Sequence, residues 1–395
     1  MSDTEKLLLR GARVVLPARL SGKANLLVDN GRIGLIAEGG IAVPVGPIKT
    51  IDLDGLTLFP GFIDLHIHGA IGVDTMEAGA EDLHRVSRFL ATKGVTSWLP
   101  TLVPAPAKDY ERALGAIQTT INQQADHEAA ARVLGVHYEG PFVNTAQCGA
   151  LRSNYFRAFT GVEELESLAV LEDPTAAHMM TMAPEIEGGI DLVRHLVDRG
   201  WIVSIGHTRA TPDVLDLARE AGANHMTHFM NAMSPLHHRK PGPVGWGLVN
   251  DDVTCDVIAD GVHVDPLMLE LLLRCKTAER VALISDAVAP AGLGDGDYKV
   301  WGETITVRDG RTSNQRGSIA GSVITMLDAV RKILSLGVTA VDVARMASMN
   351  PARLLGRESE GGSIEEGKRA DLVAVDDKGN VRLTIVGGRV GFESL

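Results

Sequence analysis

A repeated alternation between short apolar segments and amphipathic segments runs through residues 62–286 of this chain. The apolar segments have the length of buried strands, and most of the segments between them have the period of a helix with one apolar face. This alternation is typical of parallel β-sheets with crossover helices. The predicted strands are Phe62–His68, Thr96–Leu102, Val133–Glu139, His178–Ala183, Ile202–His207, His225–His228, Thr254–Ile258 and Val281–Asp286.

Eight such units can close into a (β/α)8 barrel of the TIM type or form an open, doubly wound sheet. We favour the barrel, because polar residues occur where the strands end, and barrel active sites lie at that edge. The predicted helices include Glu81–Lys93, Asp191–Arg199, Thr211–Glu220 and Pro266–Arg274.

Both ends of the chain have a different pattern, in which short strands alternate with turn residues. An Asn-Gly hairpin signal occupies positions 30–31, and residues 370–390 have a similar β-rich pattern. We therefore predict an α/β protein with a small β-sandwich domain assembled from residues 1–58 plus 352–395. The barrel domain would comprise residues 59–351.

Composition limits the classes of function. The chain has 395 residues and a formal net charge of −12, which disfavours nucleic acid or an anionic membrane surface as a partner. No apolar run has the length of a transmembrane helix. Cys148, Cys255 and Cys275 have no spacing typical of a thiolate metal site or a disulfide framework. We predict a cytoplasmic protein.

Histidine and carboxylate side chains stand at the ends of five predicted strands. His66 and His68 alternate along the first strand, so both imidazoles can point to one side and bind one ion. Taken singly, each residue could equally be a surface polar group or a helix cap. Their shared position at one edge of a barrel instead predicts a metal site. The set is His66, His68, Glu139, His207, His228 and Asp286.

Imidazole and carboxylate ligands without a thiolate are typical of Zn²⁺ or Fe²⁺ sites, and they also accept Mn²⁺ or Co²⁺. A bridging Glu139 could hold one ion together with His66 and His68, and a second with two further histidines. A divalent ion activates water and polarises a carbonyl group. Asp286 would accept the proton of that water and pass it to the leaving nitrogen. The sequence thus predicts amide hydrolysis that depends on one or two metal ions, of which zinc is the preferred candidate.

Several motifs resemble those of a known family. Residues 60–69, which contain the His66-Ile67-His68 motif, are similar to the first-strand signature of the amidohydrolase superfamily. Within it, the chain resembles the N-acetylglucosamine-6-phosphate deacetylase family over nearly its whole length. The matching segments are 99–101, 139–142, 183–185, 206–208, 227–233, 239–242, 258–264, 285–287, 289–292 and 320–322.

The resemblance implies how the metal is held. Many superfamily members use a carboxylated lysine on the fourth strand as the metal bridge, but His178–Ala183 contains no lysine. In the deacetylase family, a glutamate at the position of Glu139 takes this place, together with histidines at His207 and His228. This pattern disfavours a dihydroorotase, a hydantoinase or a phosphotriesterase. Asp286 matches the family's general base and acid.

The resemblance also implies a substrate site. His263 would contact the reacting amide and help to stabilise the oxyanion. Asn231, the backbone N–H of Ala232 and Arg239 would bind the sugar phosphate, for which a planar guanidinium is well suited. Gly140 is a further candidate contact. The family's phosphate site often includes a neighbouring subunit, so a homodimer is implied.

The chain departs from the family pattern at Leu151, where a histidine is usual, and this leaves the sugar selectivity open. Arg152 could supply a replacement polar contact, and we expect Cys148 to be an ordinary loop thiol. The expected reaction is deacetylation of N-acetyl-D-glucosamine 6-phosphate, or of another N-acyl sugar such as N-acetyl-D-galactosamine 6-phosphate. A deaminase and a non-catalytic scaffold are weaker alternatives, because the ligand set, Asp286 and the sugar-phosphate segments are all present.

Overall fold

The computed structural model describes residues 6–39, 48–125, 129–166 and 168–395. Eight parallel strands in the middle of the chain follow one another around a barrel in sequence order, and an extra two-residue strand, Arg132–Val133, also pairs with the second strand. This confirms the predicted barrel. The barrel strands are β1 Phe62–Ile67, β2 Val95–Leu102, β3 Gly135–Glu139, β4 Ala177–Met182, β5 Ile202–Ile205, β6 His225–Met226, β7 Thr254–Ile258 and β8 Val281–Ile284.

The barrel closes where the ends of β8 and β1 meet. Ile67 forms a parallel bridge with Ala287. The backbone N–H of Asp286 donates to the carbonyl of His66 at 2.9 Å, and the N–H of His68 donates to the carbonyl of Ala287 at 2.7 Å. The closing seam therefore brings Asp286 next to the two histidines of the first strand.

Helices follow the strands around the outside of the barrel. The first, α1, buries Leu83, Val86 and Leu90, whose spacing of three and four residues places them on one helical face. None of the helices in the described parts of the chain has the length and apolar character of a membrane span. The helices are α1 Ala80–Ala91, α2 Ala107–Gln123, α3 Val162–Glu166, α4 Gly189–Asp198, α5 Pro212–Glu220, α6 Gly242–Val249, α7 Pro266–Lys276, α8 Met326–Ser335, α9 Ala340–Ala344 and α10 Asn350–Leu354.

The inside of the barrel carries its own apolar cluster. Leu65, Leu99, Met179 and Ile284 come from four different strands and are fully buried. Burial of one such side chain contributes on the order of 1.5–3 kcal/mol relative to exposure. The packed interior leaves the carboxyl ends of the strands as the place for a functional site.

Both ends of the chain form a separate sheet of eight strands, seven of which follow one another along one hydrogen-bonded path. Thr57–Pro60 connects its two parts, because it runs parallel to Lys6–Val15 and antiparallel to Leu372–Val375. The path is Arg389–Glu393, Val381–Val386, Leu372–Val375, Thr57–Pro60, Lys6–Val15, Leu20–Asp29 and Arg32–Glu38, with Ile48–Asp52 also paired to Lys6–Val15.

This terminal sheet has an apolar cluster of its own, which includes Leu9, Leu26, Ile33, Leu372 and Ile385. Side chains from the beginning and the end of the chain thus share one core. The predicted β-structured unit built from both termini is confirmed. Its residue boundaries, 1–58 plus 352–395 against 59–351, stay a prediction.

A three-stranded antiparallel sheet between β8 and α8 was not predicted. We call it the hairpin insert; its strands are Gly296–Val300, Glu303–Arg308 and Arg311–Ser313. Both of its turns have two residues, and all four of these residues have positive φ angles, as the tightest hairpins require. The turn residues are Trp301-Gly302 and Asp309-Gly310.

Candidate metal centre

The six side chains predicted to form a metal site lie together at the carboxyl end of the barrel. All six are buried, with at most 7% of the residue exposed. His66 lies within β1, and Glu139 is the last residue of β3. The other four follow β1, β5, β6 and β8 directly or after one further residue: His68, His207, His228 and Asp286.

Three of these residues have unusual backbone conformations. His207, His228 and Asp286 have positive φ angles of 49°, 33° and 49°. A residue with a side chain in this region is strained by about 1–3 kcal/mol, and such strain is concentrated at functional sites. The sharp turn after each strand places the side chain at the mouth of the barrel instead of in the following loop.

Glu139 lies between two pairs of imidazoles. Its Oε1 atom is 3.0 Å from the Nε2 atoms of both His207 and His228, which are 3.1 Å from each other. Its Oε2 atom is 3.4 Å from the Nε2 of His68. The Nε2 atoms of His66 and His68 are 3.1 Å apart. The Oε1 atom is also 3.6 Å from the Nε2 of His66, so Glu139 touches both pairs of imidazoles.

This spacing is that of ligands around metal ions. Zinc bonds of about 2.0–2.1 Å in a tetrahedral shell place neighbouring ligand atoms about 3.3 Å apart. Two groups of three residues could each hold an ion, because the ligand atoms within each group lie within 4.8 Å of one another. The groups are His66, His68 and Glu139, and Glu139, His207 and His228. The Nδ1 of His207 is 2.7 Å from the carbonyl oxygen of Gln147, to which it can donate, leaving Nε2 as the ligand atom. The donor set fits divalent ions.

The charges in the cluster also suit a cation. Burial alone would raise the pKa of Glu139, but the imidazoles of His66, His207 and His228 hold it well below its usual range. Burial lowers the pKa of His66 well below its usual value. Burial lowers the pKa of His228, but its hydrogen bond with Glu139 raises it to about 9. The cluster thus combines an ionised carboxylate with a proton on an imidazole that a metal ion would displace on binding.

Asp286 lies beside the first pair of imidazoles. Its Oδ1 atom is 3.2 Å from the Nε2 of His68 and 3.4 Å from the Nε2 of His66. The residue also lines the adjoining cavity, whose volume is about 290 Å³. One carboxylate is thus within reach of both an ion at the first pair and a molecule in the cavity.

Two buried aspartates that the sequence analysis missed support the cluster. Asp256 in β7 accepts a hydrogen bond from the backbone N–H of His228, and its other oxygen is 3.0 Å from the Nε2 of His225. His225 therefore fixes Asp256 and is not one of the clustered ligands. A charged residue inside the apolar strand Thr254–Ile258 is the sequence signal that could have identified it.

The second of these aspartates, Asp64, joins β1 to the end of β8. Its carboxylate accepts hydrogen bonds from the backbone N–H of Ser285 at 3.1 Å and from the hydroxyl of Ser285 at 2.5 Å. Burial raises the pKa of Asp64 to about 7. Since Asp286 follows Ser285 directly, this contact positions Asp286 relative to His66.

The predicted substrate residues fall into two groups. His263, Asn231 and Ala232 line the cavity. The Nδ1 of His263 is 2.7 Å from the Oδ2 of Asp260, which also accepts the backbone N–H of His263 at 2.8 Å through its Oδ1. Asp260 thus fixes the orientation of the His263 ring.

The other predicted contacts do not line this cavity. The N–H of Gly140 donates to the carbonyl of Thr181 at 3.0 Å, so it is already used within the barrel. Arg152 packs its guanidinium over the ring of Tyr155 at 4.9 Å. Arg239 is exposed on the loop before α6. The substrate contacts of these three residues stay predictions.

Several cavity residues had no predicted role. Leu151, which replaces the usual histidine, lines the cavity, as do loop residues that follow the hairpin insert. The insert and the loop that follows it lie after Val281–Asp286, the last predicted strand of the barrel. The residues without a predicted role are Gly149, Ala150, Ile258, Trp301, Ser318, Ile319 and Gly321.

Comparison with known proteins agrees with this geometry. Residues 57–391 match the model of the amidohydrolase family. The chain belongs to the amidohydrolase family. It is 34% identical to an N-acetylglucosamine-6-phosphate deacetylase from Bacillus subtilis, over 99% of this chain and 98% of that protein. It is 37% identical to an N-acetylgalactosamine-6-phosphate deacetylase from Escherichia coli O157:H7, over 90% of this chain and 93% of that protein.

Solved structures resemble this amidohydrolase over nearly its whole length. The N-acetylglucosamine-6-phosphate deacetylase of Thermotoga maritima superimposes with a TM-score of 0.86 at 32% identity, covering 98% of this chain and 100% of that one. A mutant of the Mycobacterium smegmatis enzyme in complex with N-acetyl-D-glucosamine-6-phosphate gives a TM-score of 0.87 at 30% identity, covering 98% and 99%. The resemblance recognised in the sequence is confirmed.

Proposed function

We propose that this amidohydrolase hydrolyses N-acetyl-D-glucosamine 6-phosphate to D-glucosamine 6-phosphate and acetate. The observation that carries the proposal is the cluster of four histidines around Glu139, with Asp286 beside it at the cavity. Relatives and solved structures similar to this chain over nearly its full length are deacetylases of N-acetylated amino-sugar phosphates. A sugar phosphate as substrate also suits the cytoplasmic location that we propose.

The resident cofactor is a divalent metal ion, and we propose zinc, in one or two copies per subunit. Four imidazoles and a carboxylate without a thiolate suit zinc, although Fe²⁺, Mn²⁺ and Co²⁺ share these ligand preferences. The proposed ligands are His66, His68, Glu139, His207 and His228, with Asp286 in contact. When bound, the ion supplies Lewis acidity and lowers the pKa of water.

The chain's own residues move the proton and stabilise the charge. Asp286 accepts a proton from the attacking water while the oxygen of that water bonds to the acetamide carbon. His263, oriented by Asp260, donates a hydrogen bond to the carbonyl oxygen as negative charge develops there. Asp286 then passes its proton to the sugar nitrogen while the C–N bond breaks, which releases acetate and a free amine.

We assign the phosphate to the side of the cavity that Asn231 and Ala232 form. Arg239 lies outside the cavity of its own subunit and is exposed, so we assign it to the phosphate site of a second copy in a homodimer. The exposed Leu236 close to it in sequence, with 46% of its surface accessible, would be covered by that contact.

N-Acetyl-D-galactosamine 6-phosphate is the second candidate substrate. Two observations favour it: Leu151 lines the cavity where the family usually has a histidine, and one relative at 37% identity is named for this epimer. The two sugars differ only in the direction of one hydroxyl group. The reacting acetamide and the proposed roles of Asp286 and His263 are the same for both.

Acetate release from the two sugar phosphates by purified, zinc-loaded protein tests the proposal. We expect turnover of the gluco epimer with at least tenfold higher kcat/KM than the galacto epimer. The reverse preference would establish the second candidate. Turnover of neither sugar by protein of confirmed metal content would refute both.

A further inference from the structure

Trp301 occupies a strained position at the tip of the hairpin insert. It forms a two-residue turn with Gly302, between the paired residues Val300 and Glu303. The φ angles of Trp301 and Gly302 are 53° and 77°. Such turns favour Asn, Asp or Gly at the first position, because a larger side chain is strained there by about 1–3 kcal/mol. A tryptophan at this tip points to a use for its side chain.

The indole lies against the metal cluster and forms part of the cavity wall. Its ring centroid is 5.4 Å from that of His68, and the two planes are nearly perpendicular at 84°. Leu151 and Ile258 line the same cavity and are buried and apolar. The insert thus brings a large aromatic surface to the edge of the reacting centre.

The end of the cavity formed by Gly149 and Ala232 borders the other pair of imidazoles. A Cβ atom placed on Gly149 would be 3.5 Å from the ring of His207 and 3.9 Å from the Cβ of Ala232. This end therefore adjoins the second pair of imidazoles, whereas Trp301 contacts His68 of the first pair. Glu139 lies between the two pairs.

These positions orient the substrate, on the basis of the proposed function. The scissile carbonyl has to lie at the cluster, and the sugar phosphate is assigned to the end formed by Asn231 and Ala232. The remaining substituent of the carbonyl carbon, which is the acyl chain, then faces the end formed by Trp301.

We propose that Trp301 determines which acyl groups the enzyme accepts. The indole forms the wall against which the methyl group of an acetamide packs, and longer acyl chains collide with it. Trp301 is therefore a specificity-determining residue for the acyl group, and its strained turn is the cost of placing it there. The sugar and the phosphate are recognised elsewhere in the cavity.

The test compares the N-acetyl, N-propionyl and N-butyryl derivatives of glucosamine 6-phosphate. Because an apolar pocket discriminates one methylene group by about 10- to 200-fold, the wild-type protein should strongly prefer the acetyl derivative. In Trp301→Asn, which removes the wall and keeps a residue that tolerates positive φ, the ratio of kcat/KM for butyryl over acetyl should rise at least tenfold. Trp301→Gly should show the same rise.

Two variants serve as controls. Trp301→Phe retains an aromatic wall and should keep the ratio within threefold of the wild-type value. Lys299→Ala changes an exposed residue of the same hairpin that does not line the cavity, and should leave every rate unchanged. Circular dichroism and metal content verify that each variant is folded and loaded.

The inference and the proposed function fail in different ways. A butyryl-to-acetyl ratio that stays within threefold of wild type in folded Trp301→Asn and Trp301→Gly overturns the role of Trp301, whether or not acetyl turnover falls. Absence of turnover of all three derivatives by metal-loaded wild-type protein instead overturns the proposed function.

Discussion

Asp286 and Glu139 are both buried carboxylates in the cluster, but their surroundings differ. Both line the cavity, but Glu139 contacts imidazoles of both pairs, whereas Asp286 contacts His66 and His68 of the first pair. A carboxylate with contacts to four imidazoles is suited to bridging ions. A carboxylate that borders the cavity and is not shared between the two pairs is suited to moving a proton.

We expect Asp286→Asn to lower kcat by a factor on the order of 10² to 10⁴, because an amide can neither accept nor deliver the proton. The four histidines and Glu139 remain, so metal content should stay at the wild-type level. Steady-state kinetics and elemental analysis of the same sample measure both quantities. The exposed Asp252 provides a control, and Asp252→Asn should keep wild-type kcat. A kcat for Asp286→Asn within tenfold of wild type contradicts the assigned role.

At the scale of single residues, the sequence was sufficient for the cluster but not for its supports. The clustered ligands follow apolar strands directly, so strand position alone brings them together. Asp256 acts through the backbone N–H of His228, a contact that depends on how two strand ends meet. Arg152 and Arg239 lie on loops, whose paths no periodicity determines.

The elements that carry the ligands depend on glycine at the strand ends. Gly206 lies between β5 and His207, and a Cβ atom there would be 2.6 Å from the Cγ2 of Thr181 and 3.2 Å from the Cβ of Thr227. Contacts this short force neighbouring strands apart. The position of His207 therefore depends on the absence of a side chain at the preceding residue.

Gly206→Ala is expected to destabilise the protein by roughly 1–3 kcal/mol through overpacking and to weaken metal binding at least tenfold by displacing His207. Chemical denaturation and zinc titration measure the two effects. Gly115→Ala is the matched control, since Gly115 is exposed in α2 with no atom within 4 Å of the new methyl group. That variant should gain about 0.5–1 kcal/mol and bind zinc normally. Wild-type zinc affinity in Gly206→Ala would be incompatible with this account.

Element by element, apolar runs predicted the barrel strands well, because buried parallel strands are apolar on both faces. The sixth strand is only His225–Met226, since the chain turns before His228. The hairpin insert was missed because its strands are short, polar and partly exposed. Asp309-Gly310 is a strong hairpin signal that could have predicted its second turn, whereas Trp301-Gly302 is atypical.

At the scale of the whole molecule, the metal site connects strands that are far apart in sequence. Its ligands come from β1, β3 and the ends of β5, β6 and β8, so an ion that binds them stabilises the closed barrel against unfolding. A ligand present at 100 times its dissociation constant stabilises the native state by about 2.7 kcal/mol. Metal loading should therefore be visible in the unfolding temperature.

We expect zinc to raise the Tm of the metal-free protein by several degrees, measured by circular dichroism in zinc-containing and chelator-containing buffers. Glu139→Gln removes the negative charge that both groups of ligands share. In this variant, zinc should raise the Tm much less than in the wild-type protein. An equal rise in Glu139→Gln and wild type would mean that zinc stabilises the fold from another place.

The overall architecture was predictable from the sequence because the alternation of strands and helices extends over residues 62–286. The homodimer implied by the family resemblance stays a prediction. Motif resemblance supplied the substrate class, which strand and helix patterns alone do not contain.

Metal-dependent amide hydrolysis is the central claim, and restoring activity to stripped protein tests it most directly. Chelator-treated enzyme is titrated with zinc while acetate release from N-acetyl-D-glucosamine 6-phosphate is followed. We expect no turnover without metal and full recovery at one or two zinc ions per chain. Undiminished acetate release by protein shown to be free of metal would contradict the account.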